Sequence, residues 1–118
     1  MPARDFSTLR KTLSDRRNEL QERLTRIHEE LRDSTVSHAD SADRAVASTD
    51  LDALHEQAER AQRQMRQLDD ALRRMDAEGY GVCAMCGQEI AMARLKALPW
   101  ARYCVECQDL QEEGMLGR

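Results

Sequence analysis

Two short turns of identical form, Cys83-Ala-Met-Cys86 and Cys104-Val-Glu-Cys107, stand 17 residues apart and contain every cysteine of the chain. A CxxC turn presents two sulfurs about one ion apart, and a connector of this length lets two such turns face each other around a single metal. Gly87, directly after Cys86, suits a tight knuckle whose backbone amides turn toward the thiolates. Four thiolates fill the tetrahedral shell of Zn2+ and leave no position for substrate or water, so the expected role of the metal is structural. Such binding contributes on the order of 10 kcal/mol to folding, and the segment 81–107 is expected to lose its fold without zinc. A redox-active CxxC or an iron–sulfur cluster are the competing assignments. Two equivalent pairs with no βαβ pattern around either disfavour the redox one.

The remainder of the chain reads as helix. From Phe6, apolar residues fall at Leu9, Leu13, Leu20, Leu24, Ile27 and Leu31, all on one helical stripe that is interrupted around Arg16 and Arg17. A second stripe runs through Leu51, Leu54, Ala58, Ala61, Met65, Leu68, Leu72 and Met75 in alternating steps of three and four, as a coiled-coil seam requires. Between them, Ser34 to Thr49 (STVSHADSADRAVAST) is rich in small, hydrogen-bonding side chains and loses the seam, which predicts the turn of a hairpin. Thr49 with Asp52 resembles a capping arrangement for the second helix. A first helix from about Asp5 to Arg32 would be about 42 Å long at roughly 1.5 Å per residue, so the hairpin would form a long arm. Gly79 is expected to end the second helix, and the GYG at 79–81 to bend the chain into the cysteine segment. Between the knuckles, Ile90 to Lys96 suits a short helix that Pro99 stops ahead of Trp100, which is expected to pack on the cysteine module. The fold expected is therefore all-α: an antiparallel coiled-coil helical hairpin over residues 1–78, with its tip at about 34–49, then a four-cysteine zinc-finger module and a C-terminal helix over 79–118.

Composition narrows the function. With aromatics at 3% and charged residues at 34% of 118 residues, a large globular core is out of reach and helix pairing must supply the stability. No apolar run approaches the ~20 residues that cross a bilayer, and MPARDFSTLRK lacks the apolar stretch of a signal peptide. A cytoplasmic protein without membrane contact is expected, in which cysteines stay reduced and serve as ligands. The net charge of -4 argues against direct sequence-specific DNA binding as the main activity. No Ser, His and carboxylate set and no glycine-rich phosphate loop suggest catalysis, so the protein is not expected to be an enzyme. His28, His38 and His55 are scattered, and four thiolates leave them no role as ligands. One hairpin satisfies both seams, so a monomer is expected, with pairing of two chains through the same seams as the alternative.

At the turn, Asp40-Ser-Ala-Asp43-Arg-Ala45 has the form DxxDxA. Alone, two carboxylates in a polar loop read as caps and solvated charges. Together with the hairpin and the segment GYGVCAMCGQEIAMARLKALPWARYCVEC, the pattern resembles the DksA/TraR family of bacterial transcription regulators over nearly the whole chain. The resemblance implies a coiled coil that enters the secondary channel of RNA polymerase. It assigns to Asp40, Asp43 and Ala45 an action near the catalytic centre that changes the lifetime of promoter complexes, as in the stringent response. Members that respond to guanosine tetraphosphate carry basic residues just before the loop proline, directly after the last cysteine and in the second helix. Here those positions hold Leu98, Gln108 and Gln67, so a weak or absent response is expected, with Arg94, Lys96 and Arg102 near enough to compensate in part. The chain is also expected to lack much of the additional N-terminal segment of longer members and therefore to grip the polymerase differently.

Two other readings compete. A nucleic-acid-binding zinc ribbon with a dimerising arm draws on Arg60, Arg63, Arg66, Arg73 and Arg74, but Asp69, Asp70 and Asp76 interleave with them, as on a solvated outer face. A coiled-coil adaptor with an inert tip is the other.

Overall fold

The computed structural model describes residues 4–37 and 41–116, of which 34–37, 41–48, 115 and 116 are described by backbone alone. Four helices follow in order: α1 (Ser7–Ser37), α2 (Ser41–Asp76), α3 (Met92–Ala97) and α4 (Val105–Leu116). Among the described residues β structure is limited to one isolated antiparallel bridge, Val82 to Glu89. The chain divides into two compact units whose boundary crosses both long helices. One comprises the residues through Asp15 and from Gln67 onward, the other Arg16–Arg66.

In the second unit the two stripes become a seam. Leu20, Leu24 and Ile27 of α1 and Ala58, Ala61 and Met65 of α2 are all buried. Leu20 and Arg23 of α1 line one cavity with Arg60, Ala61 and Gln64 of α2, so the two helices face each other at this level. In the first unit Leu9, Leu13, Leu68 and Ala71 are buried in that unit's own core, with Leu13, Leu68 and Ala71 at 0% exposure. Each such leucine contributes roughly 1.5–3 kcal/mol by leaving water. The seam departs from its expected path here, because Ala71 is fully buried and Leu72 only half-buried. The cysteine module folds with this end of α2, so the inward face of α2 is wider than a two-helix seam needs.

Two expectations for the helix ends are corrected. Helix runs to Ser37 and resumes at Ser41, so most of the segment 34–49 is helical and Thr49 and Asp52 lie inside α2 rather than at its cap. Ala42, Arg44, Ala45 and Ala47 are strong helix formers, and they carry the backbone through Ser and Thr residues that taken singly favour turns. At the other end, the left-handed residue that stops α2 is Glu78 (φ 62°), not Gly79. The Gly79 N–H donates to the Arg74 carbonyl (2.7 Å) and the Glu78 N–H to that of Met75 (3.3 Å), which is the Schellman pattern with Glu78 at the C′ position. At the start of α1, Asp5 Oδ1 accepts the Ser7 N–H at 2.9 Å, satisfying one of the amides a helix leaves open.

Candidate metal centre

The first knuckle is a tight hairpin. Gly81 and Ile90 close its outer end (Ile90 N–H to Gly81 O, 2.7 Å), the Cys83 N–H reaches Gln88 O at 2.8 Å, and the Gly87 N–H reaches Cys83 O at 3.0 Å. Gly81 (φ 83°) and Gly87 (φ 76°) take left-handed conformations at these bends, where a side chain would be strained. The second knuckle leads into α4. Cys104 directly precedes that helix, its carbonyl accepting the Gln108 N–H at 2.9 Å, and Cys107 lies in the first turn. Thiolates at a helix N-terminus are favoured by its open amides and dipole. The Ala84 N–H donates to Arg102 O at 2.8 Å and ties the knuckles together.

This folding brings the four predicted ligands into one cluster. The sulfurs of Cys83, Cys86, Cys104 and Cys107 all lie within 4.8 Å of one another, and Cys86 and Cys104 are 3.9 Å apart. Four sulfurs bonded to zinc at about 2.3 Å in a tetrahedron are separated by about 3.8 Å, so the cluster is of the right size and needs little adjustment. Cys83 and Cys107 are buried, while Cys86 is exposed. Electrostatics agree with a cation here. Burial alone would raise the Cys83 thiol, but amides of Cys86, Cys104 and Met85 aimed at its sulfur bring it down to about 6. Cys107 is pushed up, first by its neighbour Cys104 and then by burial. Cys86 receives the Gln88 amide, yet contact with the Cys83 sulfur leaves it raised. Four thiolates at this spacing repel one another, and a divalent ion is what allows all of them to ionise.

Around the cluster stand side chains whose part the sequence did not reveal. Arg74 is not one of a solvated arginine run. Its side chain is 17% exposed and clamps three partners: Nε to Asp70 (3.0 Å), Nη1 to Ala101 O (3.2 Å) and Nη2 to Trp100 O (3.1 Å). Burial lowers its pKa, and the Asp70 carboxylate partly restores it. Tyr80, also buried, donates its hydroxyl to Pro99 O at 2.7 Å, and burial raises its pKa. Arg94 Nε holds Tyr103 O at 3.0 Å. The spacing of Asp70 and Arg74 is the signal that announced part of this, as an i,i+4 pair. Arg60, Arg63, Arg66 and Arg73 are exposed, as expected, and so are His28 and His55.

Of the tip residues, Asp40 lies outside the described residues, as does His38, and Asp43 and Ala45 fall in the first turns of α2. Beside the module, a cavity of about 550 Å³ brings together Gln67, Leu98 and Gln108, with Asp70, Asp109 and Glu112 as its acids and Arg94 and Arg102 as its bases. Both arginines are engaged, Arg94 with Tyr103 O and Arg102 with Asp70 at 3.5 Å.

Fold and site define a helical hairpin bearing a four-cysteine, metal-binding zinc-finger module. Residues 78–113 match the prokaryotic dksA/traR C4-type zinc finger, and residues 9–75 match the N-terminal domain of DnaK suppressor protein-like chains. The protein belongs to the DksA/TraR family. It is 29% identical over 103 residues to the RNA polymerase-binding transcription factor DksA of Haemophilus influenzae, covering 87% of this chain and 71% of that one. Among solved structures it resembles transcription factor DksA2 of Pseudomonas aeruginosa (31% identity, TM-score 0.84, covering 92% of this chain and 83% of that one). It also resembles the DnaK suppressor protein of Agrobacterium tumefaciens (31% identity, TM-score 0.63, covering 92% and 96%). Among the described residues no helix is long and apolar enough to cross a membrane.

Proposed function

We propose that this protein is a non-enzymatic transcription regulator that binds bacterial RNA polymerase through the secondary channel. In this reading Zn2+ on Cys83, Cys86, Cys104 and Cys107 holds the base of the hairpin, and the tip residues Asp40, Asp43 and Ala45 act near the catalytic centre to alter promoter-complex stability. The observation that carries it is the end-to-end family match, hairpin and finger together, to relatives named as RNA polymerase-binding transcription factors. Carboxylates on a slender arm can accept charge-assisted hydrogen bonds from basic groups of the polymerase or approach the surroundings of its magnesium, and a small Ala45 allows close contact. A weak or absent response to guanosine tetraphosphate belongs to the same proposal. It is supported by a cavity in which three carboxylates oppose two arginines already committed to the protein itself, poor company for a phosphate-rich ligand.

The test is transcription in vitro from a ribosomal RNA promoter, with zinc-loaded wild type and Asp43→Asn compared with and without the alarmone. A change in output with wild type, lost in a variant that still binds polymerase and insensitive to alarmone, supports the whole reading. Absence of polymerase binding by either chain removes it and leaves the adaptor. A steep salt dependence of DNA affinity would bring forward the nucleic-acid reading.

A further inference from the structure

The segment ahead of α1 carries an interaction that neither the seam nor the cysteine spacing accounts for. Arg4 reaches across to the outer end of the first knuckle with both arms of its guanidinium. Nη1 donates to Ile90 O at 2.6 Å and Nη2 to Gly81 O at 2.9 Å, the two residues that close the Cys83–Cys86 hairpin. Glu89, on the same hairpin, lies 3.8 Å from Nε. The guanidinium carbon also sits 5.2 Å from the centre of the Phe6 ring. That ring in turn meets Tyr80 edge-on at 4.8 Å and lies so close to Gly81 that a Cβ there would be 2.8 Å from Phe6 Cζ. Arg4 is 24% exposed, and the carbonyls it holds are 77 and 86 residues away in sequence.

We infer that Arg4 is a positioning residue for the metal site, a latch that strapped across Gly81 and Ile90 holds the first knuckle closed and slows loss of its metal. The fork geometry matters, since two carbonyls held by one planar group cannot splay apart as they must when the knuckle opens. The coupling is reciprocal. Whatever factor the latch adds to zinc affinity, zinc adds to the equilibrium for docking the segment 4–10. The inference rests on zinc being the occupant and is independent of any action on polymerase.

The experiment uses the full chain, with zinc content measured first, release followed with a chromophoric chelator in excess, and amide hydrogen exchange read in the peptides covering 5–13 and 79–91. Arg4→Ala is expected to release zinc about tenfold faster than wild type, as for loss of hydrogen bonds from a charged group. Arg4→Lys, which keeps the charge without the fork, should recover part of that. In wild type, zinc removal should raise exchange in the 5–13 peptide. Arg10→Ala removes the Arg10–Asp76 ion pair (2.9 Å) in the same unit and leaves both Arg4 hydrogen bonds to the knuckle in place, and should release zinc at the wild-type rate. Equal release from wild type and Arg4→Ala overturns the inference, as does acceleration by Arg10→Ala matching that of Arg4→Ala, or exchange in 5–13 that ignores zinc. A wild-type chain without zinc overturns it too, and that outcome is separable because it leaves polymerase binding to be measured.

Discussion

Replacing Glu78 by glycine should make the protein more stable, and the structure allows the size of the gain to be worked out. Glu78 sits at φ 62°, where an L side chain costs about 1–2 kcal/mol that glycine does not. Glycine gives back about 0.5–1 kcal/mol through the extra freedom of the unfolded chain, leaving a net gain of about 0.5–1 kcal/mol. For 118 residues the entropy of unfolding is about 0.25 kcal/mol per degree, so Tm should rise by about 2–4 °C in zinc-loaded protein followed by circular dichroism. Two controls isolate the cause. Glu78→Ala keeps the backbone strain and removes only an acid beside the negative end of α2, for a gain of a few tenths of a kcal/mol. Gly79→Ala should cost nothing and gain about 0.4–1 kcal/mol. Gly79 is not among the left-handed residues, and a Cβ there meets only the Arg74 carbonyl at an ordinary 3.9 Å. A Glu78→Gly protein no more stable than Glu78→Ala, or a Gly79→Ala protein destabilised by more than about 1 kcal/mol, would refute Glu78 as the residue that turns the chain.

Arg74→Ala removes the hydrogen bonds that Arg74 donates to the Trp100 and Ala101 carbonyls and should destabilise the zinc-loaded protein by about 2–3 kcal/mol in urea. That is below the cost of breaking a fully buried pair, because Asp70 is 29% exposed and keeps Arg102 and Arg73 within 4 Å. Arg74→Lys should recover less than half of the loss. In an NMR titration the Asp5 carboxyl should show a midpoint below 3.8, first because it accepts the Ser7 backbone amide. The sign follows from the depressed value. The cap stabilises the folded chain above pH 3.8 and stops doing so as pH falls through the folded-state pKa.

What the amino-acid order alone determines here is local and periodic. Steps of three and four put Leu20, Leu24 and Ile27 on one face and Ala58, Ala61 and Met65 on another, and every one of them is buried. The CxxC spacing brings two sulfurs together within a single turn, and Pro99 ends the short helix after Ala97 whatever surrounds it. Such features need only neighbours a few residues away, so they survive in a linear reading. Tertiary structure decided what depended on distant partners. Arg74 looks like any other member of an arginine run until carbonyls 26 and 27 residues away take up its guanidinium. The same holds for Arg4, whose partners lie far along the chain, and for Ala71, buried in place of Leu72 where the cysteine module joins this end of α2. Glu78 rather than Gly79 turns left-handed because the chain must leave α2 in the register that carries Tyr80 to Pro99 and Gly81 to Phe6. Periodicity records which face of a helix avoids water, but the partner that covers the face, and the polar groups stranded at its edge, exist only once the chain has folded.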